Sequence, residues 1–354
     1  MPLTSFKSVV NFEREYNQLM RRKRYAAVFI LAAVLIALLV WINLAFGSAE
    51  ISVSELFRIL TGSGDEMNQN IIRNIRLPRT VSAFWLGGSL ALSGYLLQTF
   101  FGNPIVGPFV LGISSGAKLM VALTMIWFLS AARNLSQAGM VLAAFAGALI
   151  SMGFVLLISL KVKKMSVLVV CGIMIGYICS AITDFVVTFA DDSNIVNLHN
   201  WSMGSLSGMN WDQVRVIVVI TVTGLVLTVL MIKPVGAYRL GEAYARSAGV
   251  NITLLRVMLI LVSSLLAACV TAFAGPISFV GIAVPHLARM ALNSNAPGAM
   301  IPASFLGGAA VTLLCDFAAR TVFAPTEVSI SSVTAVLLVP VVIFLMIKPK
   351  HRDM

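Results

Sequence analysis

About ten stretches of roughly twenty apolar residues recur along this sequence, almost free of charge. Each is long enough for an α-helix to cross about 30 Å of hydrocarbon. They fall at 25–46 and near 81–100, 115–130, 138–160, 166–190, 214–232, 252–273, 277–292, 301–323 and 331–347. Of 354 residues, 59% are hydrophobic and 11% charged, against about 25% charged in ordinary soluble domains. No soluble core encloses that much apolar surface, so the expected class is an all-α polytopic membrane protein. The net charge of +11 does not signal nucleic acid, because the basic residues sit beside the spans. Arg21, Arg22, Lys23 and Arg24, and then Lys161, Lys163 and Lys164, abut apolar runs as topology-determining charges do. With the N-terminus inside, most of the 25 lysines and arginines fall on the inner side. The outer side receives Arg58, Arg73, Arg76, Arg79 and Arg320 among others. Both termini are therefore expected in the cytoplasm. Residues 1–24 read as a cytoplasmic lead-in, 25–348 as one transmembrane domain, and 233–256 as a cytoplasmic loop within it.

The stretch 76–117 organises the rest. Arg76 and Arg79 flank Pro78, and the mostly apolar run that follows carries Gly87, Gly88, Ser89, Ser93 and Gly94. Small residues of this kind let helix backbones approach closely in lipid. Gln98 is the one large polar side chain of the run and is expected to face protein or water. Gly102, Asn103, Pro104, Gly107 and Pro108 then impose irregular backbone, tolerated at membrane depth only where it is buried or lines a cavity. The motif Phe101-Gly102-Asn103-Pro104-Ile105 returns as Phe273-Ala274-Gly275-Pro276-Ile277. This is either an inverted repeat or chance similarity in a chain rich in Gly and Pro.

Three other stretches carry candidate function beside a plainer reading. In 233–256, Arg239, Glu242 and Arg246 share one helical face, with Glu242 and Arg246 in the favourable i,i+4 order. Leu240, Ala243 and Tyr244 lie on another face, and Gly249 is suited to end the helix. The segment is a solvated connector or a helix that docks a cytoplasmic partner. In 191–212, Trp201 and Trp211 read as interface anchors, and His199 has no companion ligands. His286, inside a span, suits packing or an interhelical hydrogen bond better than proton relay. Asp316 and Arg320, at i,i+4 in one span, are expected to neutralise each other, although Arg320 near the outer boundary could instead face an acidic partner. Cys171, Cys179, Cys269 and Cys315 lie in spans without metal-ligand spacing and read as buried hydrophobes. There is no phosphate-binding loop of the Gly-x-x-x-x-Gly-Lys-Ser/Thr type, no His-Glu-x-x-His and no Gly-x-Ser-x-Gly elbow. No catalytic residue and no metal site is expected. The scarcity of carboxylates in the spans, Asp184 and Asp316 only, weighs against an ion-coupled carrier.

The chain resembles the FecCD permease family, membrane subunits of type II ATP-binding-cassette importers for ferric siderophores, haem and cobalamin. The residues that carry the resemblance are Arg76-Leu77-Pro78-Arg79, Gly94 with Gln98, Asn103-Pro104, Pro108 with Leu111-Gly112, and Ser115-Gly116-Ala117. Further on come Trp201 with Gly204-Ser205, Leu240-Gly241 through Ala248-Gly249, Phe279-Val280-Gly281, Pro285-His286, and Asp316 with Arg320. Together they run in consistent order from about residue 50 to the end. Two departures are Ile105-Val106 after Asn103-Pro104, where the family commonly has Leu-Ala, and Leu338-Val339-Pro340 where it has Gly-x-Pro.

The resemblance implies ten helices, a second permease copy or paralogue, and two cytoplasmic ATPase subunits. Those subunits use ATP and Mg and receive Arg239, Leu240, Gly241, Glu242, Ala243, Arg246, Ala248 and Gly249. The permease itself binds no cofactor. An extracytoplasmic substrate-binding protein would dock on Arg76, Arg79 and Arg320. Gln98, Asn103, Pro104 and Ile105 would line the path or its cytoplasmic gate. The implied setting is the cytoplasmic (inner) membrane of a prokaryote. The implied cargo is a ferric siderophore before haem or cobalamin. An ion-coupled carrier and a membrane sensor are the rival classes.

Overall fold

In the computed structural model, the described residues are 3–47, 53–60, 65–130, 137–162 and 164–347. Lys163 and the closing residue of the expected domain, Lys348, lie outside them. Every regular element among them is helical. The elements are α1 (Leu3–Ala45), α2 (Val53–Leu60), α3 (Glu66–Asn70), α4 (Leu77–Phe101), α5 (Ile113–Ser130), α6 (Gln137–Lys161), α7 (Met165–Val187) and α8 (Asp192–Ser202). They continue with α9 (Trp211–Leu230), α10 (Ile232–Arg239), α11 (Glu242–Ser247), α12 (Ile252–Ala274), α13 (Val280–Leu292), α14 (Pro297–Thr321) and α15 (Ile330–Ile347). Seven helical segments are long and apolar enough to cross a membrane, and Ile113–Met125, Val280–Leu292 and Ile330–Phe344 add three shorter apolar ones. They follow the ten expected spans in order.

Burial separates an inner helix from a periphery. The apolar window of α4 is 83% buried within the protein, that of α12 72%, and that of α1 6%. The small residues of α4 explain its central place. An ideal Cβ on Gly94 would lie 1.7 Å from Gly281 O of α13, and one on Gly87 would lie 2.5 Å from Gly308 O of α14. Backbone meets backbone at both sites, so any side chain there would force the helices apart. The serines add polar links where lipid offers none. Ser89 Oγ lies 2.8 Å from Thr221 Oγ1 of α9, and Ser93 Oγ donates to Ser263 O of α12 at 2.7 Å.

Two boundaries differ from the sequence reading. The lead-in and the first span form one 43-residue helix, α1, because polar residues change the surface of a helix without breaking its backbone. The span expected at 277–292 begins helically only at Val280, after Phe279 at φ 65. The two copies of the repeated motif follow the same local path. α4 ends at Gly102 with φ 61 and α12 at Gly275 with φ 71, each leading through a proline into another helix. They sit at opposite ends of the bundle. Residues 100–104 share a cavity with Arg256 at the start of α12, whereas Ala274 O at its finish accepts from Ser205 N at 2.9 Å. That is the placement an inverted repeat requires.

Candidate functional site

The two ends of the bundle carry different chemistry. At the Arg79 end, charges close on one another. Arg79 reaches Asp316 on α14 through Nε at 3.0 Å and Nη2 at 2.8 Å, and Glu327 through Nη1 at 3.1 Å and Nη2 at 2.5 Å. The Asp316 side chain is 1% exposed. Such a carboxylate is tolerable only when paired in good geometry, and the planar guanidinium fork of Arg79 supplies it. Arg320 Nε stands 3.5 Å from Asp316 Oδ2, and its Nη2 donates to Asn43 Oδ1 at 2.6 Å. The expected i,i+4 ion pair of Asp316 and Arg320 therefore forms, and Arg79 joins it from another helix. The principal partner of Asp316 is Arg79, because Arg79 offers two aligned donors while the i,i+4 geometry holds Arg320 farther away.

Arg76 is 4% exposed and donates through Nη1 to Leu44 O at 2.7 Å and Ala45 O at 2.9 Å. These carbonyls end α1, where a cation complements the helix dipole. Arg76, Arg79 and Arg320 thus point inward and bind α1, α4, α14 and the loop at Glu327 together. Glu327, exposed after α14, and Asn43 were not singled out from the sequence. The available signal was that Glu327 is the one carboxylate in the short loop after the span that carries Arg320.

At the Arg239 end the chain stays open. Gln98 is buried and donates through Nε2 to Ile282 O at 3.1 Å, the protein-facing position expected of it. Beyond it α4 stops, with the Gly102 and Asn103 N–H groups both donating to Gln98 O. Asn103, Pro104 and Ile105 are exposed on the turn, and Asn103 Oδ1 accepts from Ile105 N at 3.0 Å. Beside the turn lies a cavity of about 500 Å³ whose wall includes Gln98, Asn103, Pro104, Arg239 and Glu242.

The loop 233–256 forms two helices, not one. α10 ends at Arg239 and α11 begins at Glu242, separated by Gly241 at φ 121, a conformation glycine adopts readily. Arg239 consequently turns away from Glu242, and its Nη1 approaches Tyr95 Oη at 3.4 Å. Glu242 accepts from Arg246 at 2.6 Å and from Arg256 of α12 at 2.9 Å. The hydrogen bond from Arg246 is the main reason its carboxyl is held below the ordinary range, opposed by burial and reinforced by the charge of Arg256. Ala248 caps α11 and Gly249, at φ 81, ends it as expected. Leu240 and Tyr244 are 71% and 54% exposed, and Ala243 is exposed beside them. Apolar side chains are thus presented outward on α11 and just before it, and α11 is braced to α12.

Elsewhere, Trp211 Nε1 donates to Arg73 O at 2.9 Å, and Trp201 packs on the core. His286 is half-buried beside the helix-internal Pro285, in keeping with a packing role. Among the described residues no group of His, Cys, Asp and Glu could hold a metal ion.

Residues 35–348 match the model of the FecCD transport family. The chain is 33% identical over 319 residues to the hemin transport system permease protein HmuU of Yersinia pestis, covering 89% of this chain and 95% of that one. It is 32% identical over 334 residues to the vitamin B12 import system permease protein BtuC of Vibrio parahaemolyticus, covering 93% and 96%. A solved structure superposes with a TM-score of 0.79 at 28% identity, over 92% of this chain and 99% of that one. It shows, in an inward-facing conformation, an ABC transporter provisionally assigned to the metal-chelate type.

Proposed function

The chain belongs to the FecCD transport family, and on that footing we propose how its two ends divide the work of an ABC importer permease. It is a polytopic permease subunit. The Arg239 end receives two ATPase subunits, which supply ATP and Mg chemistry that this chain does not perform. The docking surface is Arg239, Leu240, Gly241, Glu242, Ala243, Arg246, Ala248 and Gly249. One observation carries this reading: the exposed Tyr244 rides on a short helix, preceded by the exposed Leu240, whose Glu242 is ion-paired to Arg256 of α12. Force on α11 therefore reaches a mostly buried membrane helix. On this orientation both termini are cytoplasmic, and the membrane is the cytoplasmic membrane of a prokaryote.

The Arg79 end receives the extracytoplasmic binding protein. Arg76, Arg79 and Arg320 contribute through their inward network, so an acidic partner competes with Glu327 for Arg79. A second copy or paralogue completes the path, which Gln98, Asn103, Pro104 and Ile105 line on the inner side. The cargo is an iron chelate, with a ferric siderophore favoured over haem or cobalamin. The relatives named for hemin and vitamin B12 and the metal-chelate neighbour support a large chelate in general. An ion-coupled carrier has less support, because the buried carboxylate of Asp316 is already neutralised by Arg79.

Uptake by the assembled complex, offered a ferric siderophore, hemin and cobalamin in turn, tests the cargo. Competition by the siderophore at the lowest concentration is expected. Preference for cobalamin would overturn the iron-chelate assignment while leaving the permease role intact.

A further inference from the structure

The cavity at the Arg239 end holds three guanidiniums, Arg239, Arg256 and Arg289, and a single carboxylate, Glu242. They arrive from separate helices, α10, α12 and α13, and converge on one wall-bounded space. Glu242 is already shared between Arg256 and Arg246. Arg256 spends Nη2 on it and keeps a buried Nε with no hydrogen-bond partner. Arg289 is more deprived. It makes no hydrogen bond or ion pair with any described residue, and its Nε is buried without an acceptor. A half-buried guanidinium left in this state is costly, since desolvation goes uncompensated.

The ordinary duty of such arginines is to neutralise helix C-termini, and that duty is taken. Arg24 from α1 donates to Met290 O at 3.2 Å and Ala291 O at 2.9 Å, closing the end of α13. Gly102 and Asn103 close α4 with their own N–H groups. What is missing from the cavity is negative charge. A carboxylate presents two coplanar oxygens, and both of those on Glu242 are already taken by Arg246 and Arg256. A phosphate presents oxygens around a centre and suits forks arriving from several directions.

We propose that this cavity binds a phosphate-bearing anion, whether free phosphate or the headgroup of an anionic phospholipid. Its walls join the Asn103–Pro104 turn to Arg239 and Glu242, so an occupant ties the end of α4 to the joint between α10 and α11. The inference is independent of the importer reading and tests separately from it.

The test uses the full chain in phosphatidylcholine nanodiscs, with melting followed by tryptophan fluorescence. Inorganic phosphate should raise the melting temperature saturably, and chloride at equal ionic strength should not. If phosphate has no effect but replacing part of the phosphatidylcholine with phosphatidylglycerol does, the source is lipid. Arg289→Gln should weaken the response about tenfold, the scale of one lost charged hydrogen bond. Should that variant fold poorly, Arg289→Lys and Arg239→Gln provide the same comparison with less disturbance. No response to either source, an equal response to chloride, or an undiminished response in the variants overturns the site. So does stabilisation obtained only from an added ATPase subunit, which would assign the arginines to a protein carboxylate.

Discussion

The Arg79 end and the Arg239 end contain similar residues and use them in opposite ways. At the first, Arg79 satisfies Asp316 and Glu327 together while Arg76 and Arg320 close the terminal turn of α1. At the second, Glu242 is the one carboxylate on a cavity wall that also carries three arginines, and Leu240 just before its short helix and Tyr244 within it are exposed. Arginine count therefore does not distinguish a structural knot from a binding surface. The balance of carboxylate and carbonyl acceptors does. A matched set in low dielectric fixes helices relative to one another, whereas an unmatched set invites something from outside.

The contrast can be broken first at Asp316. Asp316→Ala leaves Arg79 and Arg320 buried beside a missing partner and should destabilise the fold by about 3–5 kcal/mol, read as a large drop in melting temperature in detergent. A near-neutral result would mean that the Arg79 end is not a structural knot. Next comes Gly94→Ala, where the added methyl meets Gly281 O of α13. A loss of about 1–3 kcal/mol from overpacking is expected, and the same substitution at Gly153, which has open space around it, should cost far less. Equal losses at both sites would remove close approach as the reason for the glycines of α4.

At the open end the sign of the readout changes from stability to association. Reversing both charges, Glu242→Arg with Arg246→Glu, should reduce co-purification of the ATPase subunits severalfold with the melting temperature nearly kept. Unaltered co-purification would detach α11 from docking. The smallest effect belongs to Glu242→Gln alone, about 1 kcal/mol or less, because its pair with Arg246 is exposed and its pair with Arg256 only part-buried. Its pH dependence follows from the hydrogen bond of Arg246. The folded-state pKa of Glu242 lies below the unfolded value, so its contribution is full above the ordinary glutamate range. It disappears as pH falls through the folded value. The variant should show a flatter stability profile in that acidic window, and a profile parallel to wild type would contradict the pairing.

Much of the central scaffold was legible because small residues in an apolar run have few uses other than close approach. Gly87, Gly94, Ser89 and Ser93 each meet another helix, and Gln98 faces protein. The positions of Gly102 and Gly249 as terminators follow equally from local backbone chemistry. The principal partner of Asp316 was not legible, since spacing along one helix gave Arg320, which does pair with it, while the better donor lay 237 residues away in sequence. Hydropathy likewise marked where α1 becomes apolar and said nothing about where its backbone ends. The division of the 233–256 loop turned on Gly241, whose φ of 121 separates two helices that share a continuous polar pattern.

The most direct test of the account is cargo accumulation in sealed proteoliposomes, comparing the chain alone with the chain plus its ATPase subunits, binding protein and ATP. The account predicts accumulation only in the complete system, and its loss when ATP is withheld. Accumulation by the chain alone, particularly if an ionophore abolished it, would contradict the account.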